Sequence, residues 1–171
     1  MCGIAGSTRA DPQVLRAMTA AMAHRGPDAE GTWCEDGIGL AHARLAIVDL
    51  SPGGAQPMKS PCGRWVIAFN GEIYNHHALR VELEAVGESF VSTSDTEVLL
   101  RLLTRQGRAC LDKLVGMFAF ALWDRRDKVL LLVRDRLGVK PLVWGSLPDG
   151  GIAFASEIDT LRRQPGLDLS I

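Results

Sequence analysis

Apolar residues at Val14, Leu15, Met18 and Met22 recur at helical spacing behind Asp11-Pro12, where an aspartate can cap a helix and a proline fits its first turn. The pattern predicts a helix from Asp11 to about His24, stopped at His24-Arg25-Gly26-Pro27-Asp28. Period-two and continuous apolar runs follow: a short strand near Thr32–Glu35, a hairpin turn at Asp36-Gly37 and a longer strand from Gly39 through Asp49, ended by Ser51-Pro52-Gly53-Gly54. Arg64–Asn70 reads as another strand, closed by Gly71. Two helices come next. Asn75 is placed to cap the first, which carries Leu79, Leu83 and Val86 with Gly87 past its end. Ser94-Asp95-Thr96-Glu97 matches a capping box in front of Val98, Leu99, Leu102 and Leu103, and Gly107 stops the stripe. Met117–Trp123 and Val129–Val133, joined by Asp124-Arg125-Arg126-Asp127-Lys128, form a hairpin signal. Short strands at Pro141–Gly145 and Ile152–Ala155 precede a helical stretch at Glu157–Arg163. Strands in hairpins with helices clustered between them predict an α+β fold rather than an alternating parallel one.

Composition narrows the class. A length of 171 residues, with 47% hydrophobic and 23% charged residues, suits one folded domain spanning residues 1–171. Nineteen basic against 20 acidic side chains give a net charge of -1, so no basic footprint argues for nucleic acid or an anionic membrane surface. The longest apolar run, Gly116–Trp123, is of strand length, far short of a membrane span, and no secretory leader is recognised. Cys2, Cys34, Cys62 and Cys110 include no C-x2-C pair, so no metal site is expected, and the chain reads as cytoplasmic with reduced thiols. Eighteen glycines point to many turns and close backbone approaches.

Cys2 carries the most chemical information, since removal of Met1 puts a free amine and a thiol on one residue. A free α-amine titrates near 7.7 to 8.0, so part of it is neutral at cytosolic pH and can take the thiol proton. Position alone leaves open a small buried thiol with no such role. Cys34, Cys62 and Cys110 have no comparable partner and read as core or surface thiols; His24, His42, His76 and His77 read as loop or cap residues. Asn70-Gly71 pairs a side-chain amide with a backbone N–H, either a double donor for an oxyanion or a simple turn. Arg44 is a charge in the apolar run Leu40–Val48 that must face solvent or find an anion, and Asp95 is either a helix-terminal anion or more than that.

Eight strings in order carry a resemblance over essentially the whole chain. They are Met1-Cys2-Gly3-Ile4-Ala5-Gly6, His24-Arg25-Gly26-Pro27-Asp28, Arg44-Leu45-Ala46-Ile47-Val48-Asp49, Gly54-Ala55-Gln56-Pro57, Phe69-Asn70-Gly71-Glu72-Ile73-Tyr74-Asn75, Thr93-Ser94-Asp95, Gly116-Met117-Phe118-Ala119-Phe120-Ala121 and Arg134-Asp135-Arg136-Leu137-Gly138-Val139-Lys140-Pro141. Together they resemble the N-terminal glutaminase domain of glutamine-hydrolysing asparagine synthetases, which are class II glutamine amidotransferases. The resemblance implies a four-layer αββα N-terminal-nucleophile hydrolase fold with two stacked antiparallel sheets. It implies that Cys2 is the nucleophile and that Asn70 and Gly71 form the oxyanion hole. L-glutamine is then held by Arg44, by Leu45, Ala46, Ile47 and Val48 through their backbone, and by Glu72 and Asp95. Free glutamine is a zwitterion, so a fixed cation such as Arg44 and a fixed anion such as Asp95 suit its two ends.

Val143-Trp144 stands where the family usually carries tyrosine after Lys-Pro-Leu, a change away from the implied contacts. The Ser-Gly-Gly-x-Asp-Ser phosphate loop of the family's ATP-dependent synthetase domain does not occur in these residues. The implied activity is therefore the glutaminase half-reaction, which needs no cofactor, with ATP and Mg belonging to the synthetase domain or partner that receives the ammonia. A glutaminase serving a peptide, polysaccharide, amino-sugar or purine acceptor, and a silent glutamine-binding module, are the competing expectations; a homo-oligomer stays open.

Overall fold

The computed structural model describes residues 1–167, so the last four positions of the expected domain lie outside the described residues. In chain order the elements are β1 (Gly3–Ser7), α1 (Pro12–Ala21), β2 (Ala29–Glu35), β3 (Ile38–Arg44), a 3-10 turn at Pro52–Gly54, β4 (Met58–Lys59), β5 (Trp65–Ile73), α2 (His76–Ala85), α3 (Asp95–Gln106), a 3-10 segment at Gly107–Lys113, β6 (Gly116–Asp124), β7 (Val129–Arg134), β8 (Val143–Ser146), β9 (Ile152–Ala155) and α4 (Ile158–Leu161). One sheet has the order β2-β3-β1-β9-β8 and the other β4-β5-β6-β7, and every strand pair is antiparallel.

Three apolar layers hold the four structural layers together. Leu15, Met18 and Met22 of the α1 region pack on Ala5, Ala41, Ala43, Ala153 and Ala155, and Leu161 of α4 joins them. Leu79, Leu83, Val98, Leu99 and Leu102 of α2 and α3 pack on Ile67, Phe69, Phe118 and Phe120 of the other sheet. Between the sheets lie Ile4, Ile38, Leu40, Val66, Ala68, Ala119, Ala121, Trp123 and Phe154. Strand alternation makes this possible, because successive side chains point to opposite faces and the inner strands β1, β3, β5 and β6 are covered on both. The small alanines of β1, β3 and β9 let α1 and α4 sit close to the first sheet.

The expected α+β class and αββα layering are found, and several local expectations are corrected. The strand expected over Gly39–Asp49 ends at Arg44, and the remaining apolar residues form a loop. Residues 3–7, which carried no strand prediction, form β1, the strand between β3 and β9. Asn70-Gly71 is not a turn: β5 runs on to Ile73, with Asn70 opposite Ala119 and Gly71 opposite Phe118. Asn75 does not cap α2 with its side chain; its Nδ2 donates to the Lys113 carbonyl and its Oδ1 accepts from Val115 N–H. Ser94 caps α3 by accepting from Thr96 N–H, while Glu97 turns to the N–H groups of Val91 and Ser92 and the Ser92 hydroxyl instead of closing the box. His42 is neither loop nor cap but a buried residue of β3.

Candidate active site

The strands converge on one end of the inter-sheet layer. Arg44 ends the row Ile38, Leu40, His42, Arg44 on β3; Asn70 and Glu72 extend the row Val66, Ala68 on β5; Cys2 stands two residues before Ile4. Where the alternation passes from apolar to polar residues, the layer opens into a cleft. All ten residues singled out in the sequence line it: Cys2, Arg44, Leu45, Ala46, Ile47, Val48, Asn70, Gly71, Glu72 and Asp95.

Cys2 is half-buried, and its Sγ lies 3.5 Å from the Leu45 carbonyl and 3.3 Å from Leu45 N–H. Its own carbonyl accepts from Arg25 Nε at 3.0 Å, and Arg25 is paired with Glu157 at 2.6 Å. The string at 24–28 therefore works as a support: Arg25 pins the backbone of Cys2, and Asp28 Oδ2 accepts from Ala46 N–H at 2.8 Å, fixing the loop opposite the thiol. Cys34, Cys62 and Cys110 are free thiols elsewhere, and burial pushes Cys110 up to about 11.

Asn70 is 1% exposed, and its Nδ2 has no hydrogen-bond partner among the described residues. A buried donor without a partner is costly, by about 1–3 kcal/mol, and here it borders a cleft able to admit an acceptor. Beside it, a Cβ at Gly71 would collide with the Met117 carbonyl, so only glycine lets β5 and β6 close at this point.

Arg44 finds backbone rather than an anion: its Nη2 donates to the carbonyls of Asp49 and, at 3.0 Å, Ser51. Gly54 makes room for that guanidinium, since a Cβ there would strike Nη2. Asp49 organises the same loop, accepting from Ser51 N–H at 2.7 Å and Thr93 N–H at 3.0 Å; these hydrogen bonds hold its carboxyl below the usual range. Across the cleft, Asp95 is 4% exposed and its Oδ2 accepts from Ile73 N–H at 3.0 Å. Burial pushes its carboxyl up from the usual aspartate range, against the pull of the Ile73 N–H. The Glu72 side chain makes no hydrogen bond or ion pair among the described residues, although its backbone sits in the β5–β6 ladder. The result is a bipolar slot, with a guanidinium at one wall and two carboxylates at the other, matching a ligand that carries both charges.

Several further residues of the wall had no site role assigned from sequence. Gln56 Oε1 accepts from Phe69 N–H at 2.6 Å and its Nε2 donates to Thr96 Oγ1 at 3.2 Å, tying the loop to β5 and α3. Asp49 and Met117 also border the cleft, as do Met1 and Lys140. The one signal for them was their place inside the quoted strings. No group of three or more His, Cys, Asp or Glu is gathered as a metal site among the described residues, and no helix of those residues is long and apolar enough to cross a membrane.

Two stacked antiparallel sheets between helical layers, with a cysteine nucleophile candidate immediately ahead of the central strand β1, define an N-terminal-nucleophile hydrolase fold. A solved B. subtilis glutamine phosphoribosylpyrophosphate amidotransferase, complexed with ADP and GMP, shares it with a TM-score of 0.80 at 22% identity, over 94% of this chain and 43% of that one. The model of the glutamine amidotransferase domain matches residues 1–171, and the chain belongs to that family. Asparagine synthetase B (glutamine-hydrolysing) of Escherichia coli K12 is 43% identical over 169 residues, 94% of this chain and 30% of that protein. Asparagine synthetase (glutamine-hydrolysing) 3 of Bacillus subtilis 168 is 40% identical over 175 residues, 98% of this chain and 28% of that protein. The chain thus spans less than a third of the length of these curated relatives.

Proposed function

We propose that residues 1–171 form a single glutaminase domain that hydrolyses L-glutamine to glutamate and ammonia through a thioester on Cys2. The observation that carries the reading is the buried, unpartnered Asn70 amide on the wall of the cleft that holds Cys2. Met1 is removed first, so that the α-amine of Cys2 is free. That amine takes the thiol proton as Sγ attacks the side-chain amide carbon of glutamine, and the developing oxyanion is met by Asn70 Nδ2 and Gly71 N–H. When the tetrahedral species collapses, the C–N bond breaks and the proton passes from the α-ammonium to the leaving nitrogen, releasing ammonia. Water then attacks the thioester, giving its proton to the same amine, and glutamate leaves as Sγ is restored. Arg44 holds the α-carboxylate of the substrate; Glu72 and Asp95 hold its α-ammonium; the backbone of Leu45–Val48 lines the stem.

Hydrolysis draws on no metal or cofactor. Ammonia passes to an ATP- and Mg-dependent synthetase region, on the same polypeptide or a partner, for amide formation from aspartate; the similarity to asparagine synthetases supports this acceptor over the others. Four free thiols favour the cytoplasm.

The test is product analysis on protein whose intact mass shows loss of Met1. Glutamate and ammonia should appear in equal amounts, Cys2→Ala should abolish both, and a glutamine-like electrophile should label Cys2 alone. Binding of glutamine without turnover would turn the reading towards a silent module, and labelling of another cysteine in folded protein would overturn the assignment of the nucleophile.

A further inference from the structure

Lys140 is a buried cation without a counter-ion. The residue is 4% exposed, yet among the described residues its ammonium has one hydrogen-bond partner, the Met1 thioether at 3.1 Å, and no ion pair. A thioether is a weak acceptor, and a buried charge is normally paired. The side chain is also held on rigid backbone. Asp135 accepts from the N–H groups of Val139 and Lys140, both at 2.9 Å, and from Phe118 N–H at 3.2 Å, tying the loop to β6. Arg134 clamps the other side through the carbonyls of Lys140, at 2.7 Å, and Gly138, at 2.6 Å. A cation is thus fixed at the cleft wall against the one residue that the proposed reaction discards.

Apart from Glu72, which shares the cleft but forms no ion pair with Lys140, the charged groups around Cys2 are engaged elsewhere. Arg25 is paired with Glu157, and Asp28 accepts from Ala46 N–H. Arg44 and Asp49 are engaged with the 45–51 loop and Thr93, and Asp95 with Ile73. Burial depresses His42 to about 4, so it is neutral near pH 7. Glu72, Met1 and Lys140 share the cleft with Cys2.

Taking the proposed glutaminase reaction as its basis, we propose that Lys140 is a positioning residue for the nucleophile: once Met1 is gone, its ammonium faces the new α-amine of Cys2 and keeps that amine in its neutral, proton-accepting form. A neighbouring cation disfavours a second positive charge. It also makes the α-ammonium, once formed, a readier proton donor to the departing nitrogen. The discarded methionine then acts as a plug, its thioether occupying Lys140 until processing.

The experiment is the pH dependence of kcat/KM for glutamine hydrolysis by the full chain with Met1 removed, for wild type, K140Q, K140M and K140R. The two neutral variants guard against one of them misfolding. In both, the acid limb should move to higher pH by about one unit, with kcat/KM down about fivefold at pH 7 and recovering at alkaline pH. K140R, which keeps the charge, should hold the limb near its wild-type position. Folded, active neutral variants with the wild-type limb would overturn the inference, and so would an equal loss at every pH, which would mark Lys140 as structural. Wild type that hydrolyses no glutamine, or hydrolysis surviving Cys2→Ala, would instead overturn the functional reading, and this inference with it.

Discussion

The two ends of the inter-sheet layer are built on the same strands with the same alternation, and they do opposite things. At one end Ile38, Leu40, Val66 and Trp123 meet in a dry core, and Arg125 beyond β6 reaches across to Glu35 at the end of β2 through two hydrogen bonds of 2.7 and 2.9 Å. At the other end the same rows continue into Arg44, Asn70 and Glu72, and the sheets part around a cleft. What differs is the side chain at the next alternate position, not the backbone. Packing at the closed end sets the sheet spacing, and that spacing fixes where the polar groups of the open end stand, so the geometry of the cleft is inherited from a core some residues away on the same strands.

Removing polar groups from the open end should have the largest effect. Asn70→Ala leaves the oxyanion with one donor and should lower kcat by about 10²–10³, with a small change in KM, as steady-state kinetics would read. Wild-type kcat in this variant would remove Asn70 from the oxyanion hole. Next come the charges. Arg44→Ala and Asp95→Asn each leave one end of a zwitterion unpaired, a loss on the order of 2 to 5 kcal/mol that lowers kcat/KM more than tenfold. Asp95→Asn should separate function from stability. Since burial disfavours the charged form of Asp95, its ionisation near neutral pH works against folding, and the neutral amide should melt no lower than wild type at pH 7 while binding glutamine poorly.

Much of this was legible in the sequence, for reasons that differ by element. The α1 and α3 stripes and the β6–β7 hairpin are local patterns, and they fold as read. β1 was missed because Gly3-Ile4-Ala5-Gly6-Ser7 has little strand propensity of its own; it is a strand because β3 and β9 supply hydrogen bonds on both sides. The end of β3 was misplaced because Leu45–Val48 continues an apolar run, and periodicity cannot tell a strand from a loop lining a cleft. What halts the strand is tertiary: Arg44 turns to the carbonyls of Asp49 and Ser51, and Asp28 holds Ala46. The residues proposed for the site stood out because their chemistry is unusual for their setting, an early cysteine and a charge among apolar residues. Gln56 and Lys140 escaped a role because an amide in a Gly/Pro loop and a lysine in a turn are ordinary until the fold brings them to the cleft wall.

His42 lies between the two ends, and it should give the comparison a pH axis. Its Nε2–H donates to the Phe69 carbonyl across the sheets at 3.1 Å, next to Asn70. Burial depresses it to about 4, against an ordinary value of 6.5. A group depressed in the folded state contributes stability above the unfolded value and loses it as pH falls towards the folded one. The contribution is on the order of 3 kcal/mol, lost between about pH 6.5 and 4. His42→Gln, which keeps a donor for Phe69 and cannot titrate, should show a shallower fall in Tm over that window than wild type. Parallel Tm curves would show that His42 does not govern acid sensitivity.

The smallest effect belongs to the closed end. The Arg125–Glu35 pair is about one-third exposed and ties the hairpin of one sheet to the edge of the other, with Arg125 Nη1 also donating to the Gly63 carbonyl at 2.5 Å. Ion pairs this accessible to water stabilise little, since solvent screens them and two long side chains must be held still. The dry contacts among Ile38, Leu40, Val66 and Trp123 set the spacing of the sheets whether or not the clamp is present. Glu35→Gln should therefore lower Tm by about 2 °C or less and leave kcat/KM for glutamine within about twofold of wild type. High salt should shrink even that difference in Tm. A large fall in kcat/KM in protein that melts normally would mean that the clamp, not the core, sets the spacing at the cleft, and the division of labour between the two ends would have to be redrawn.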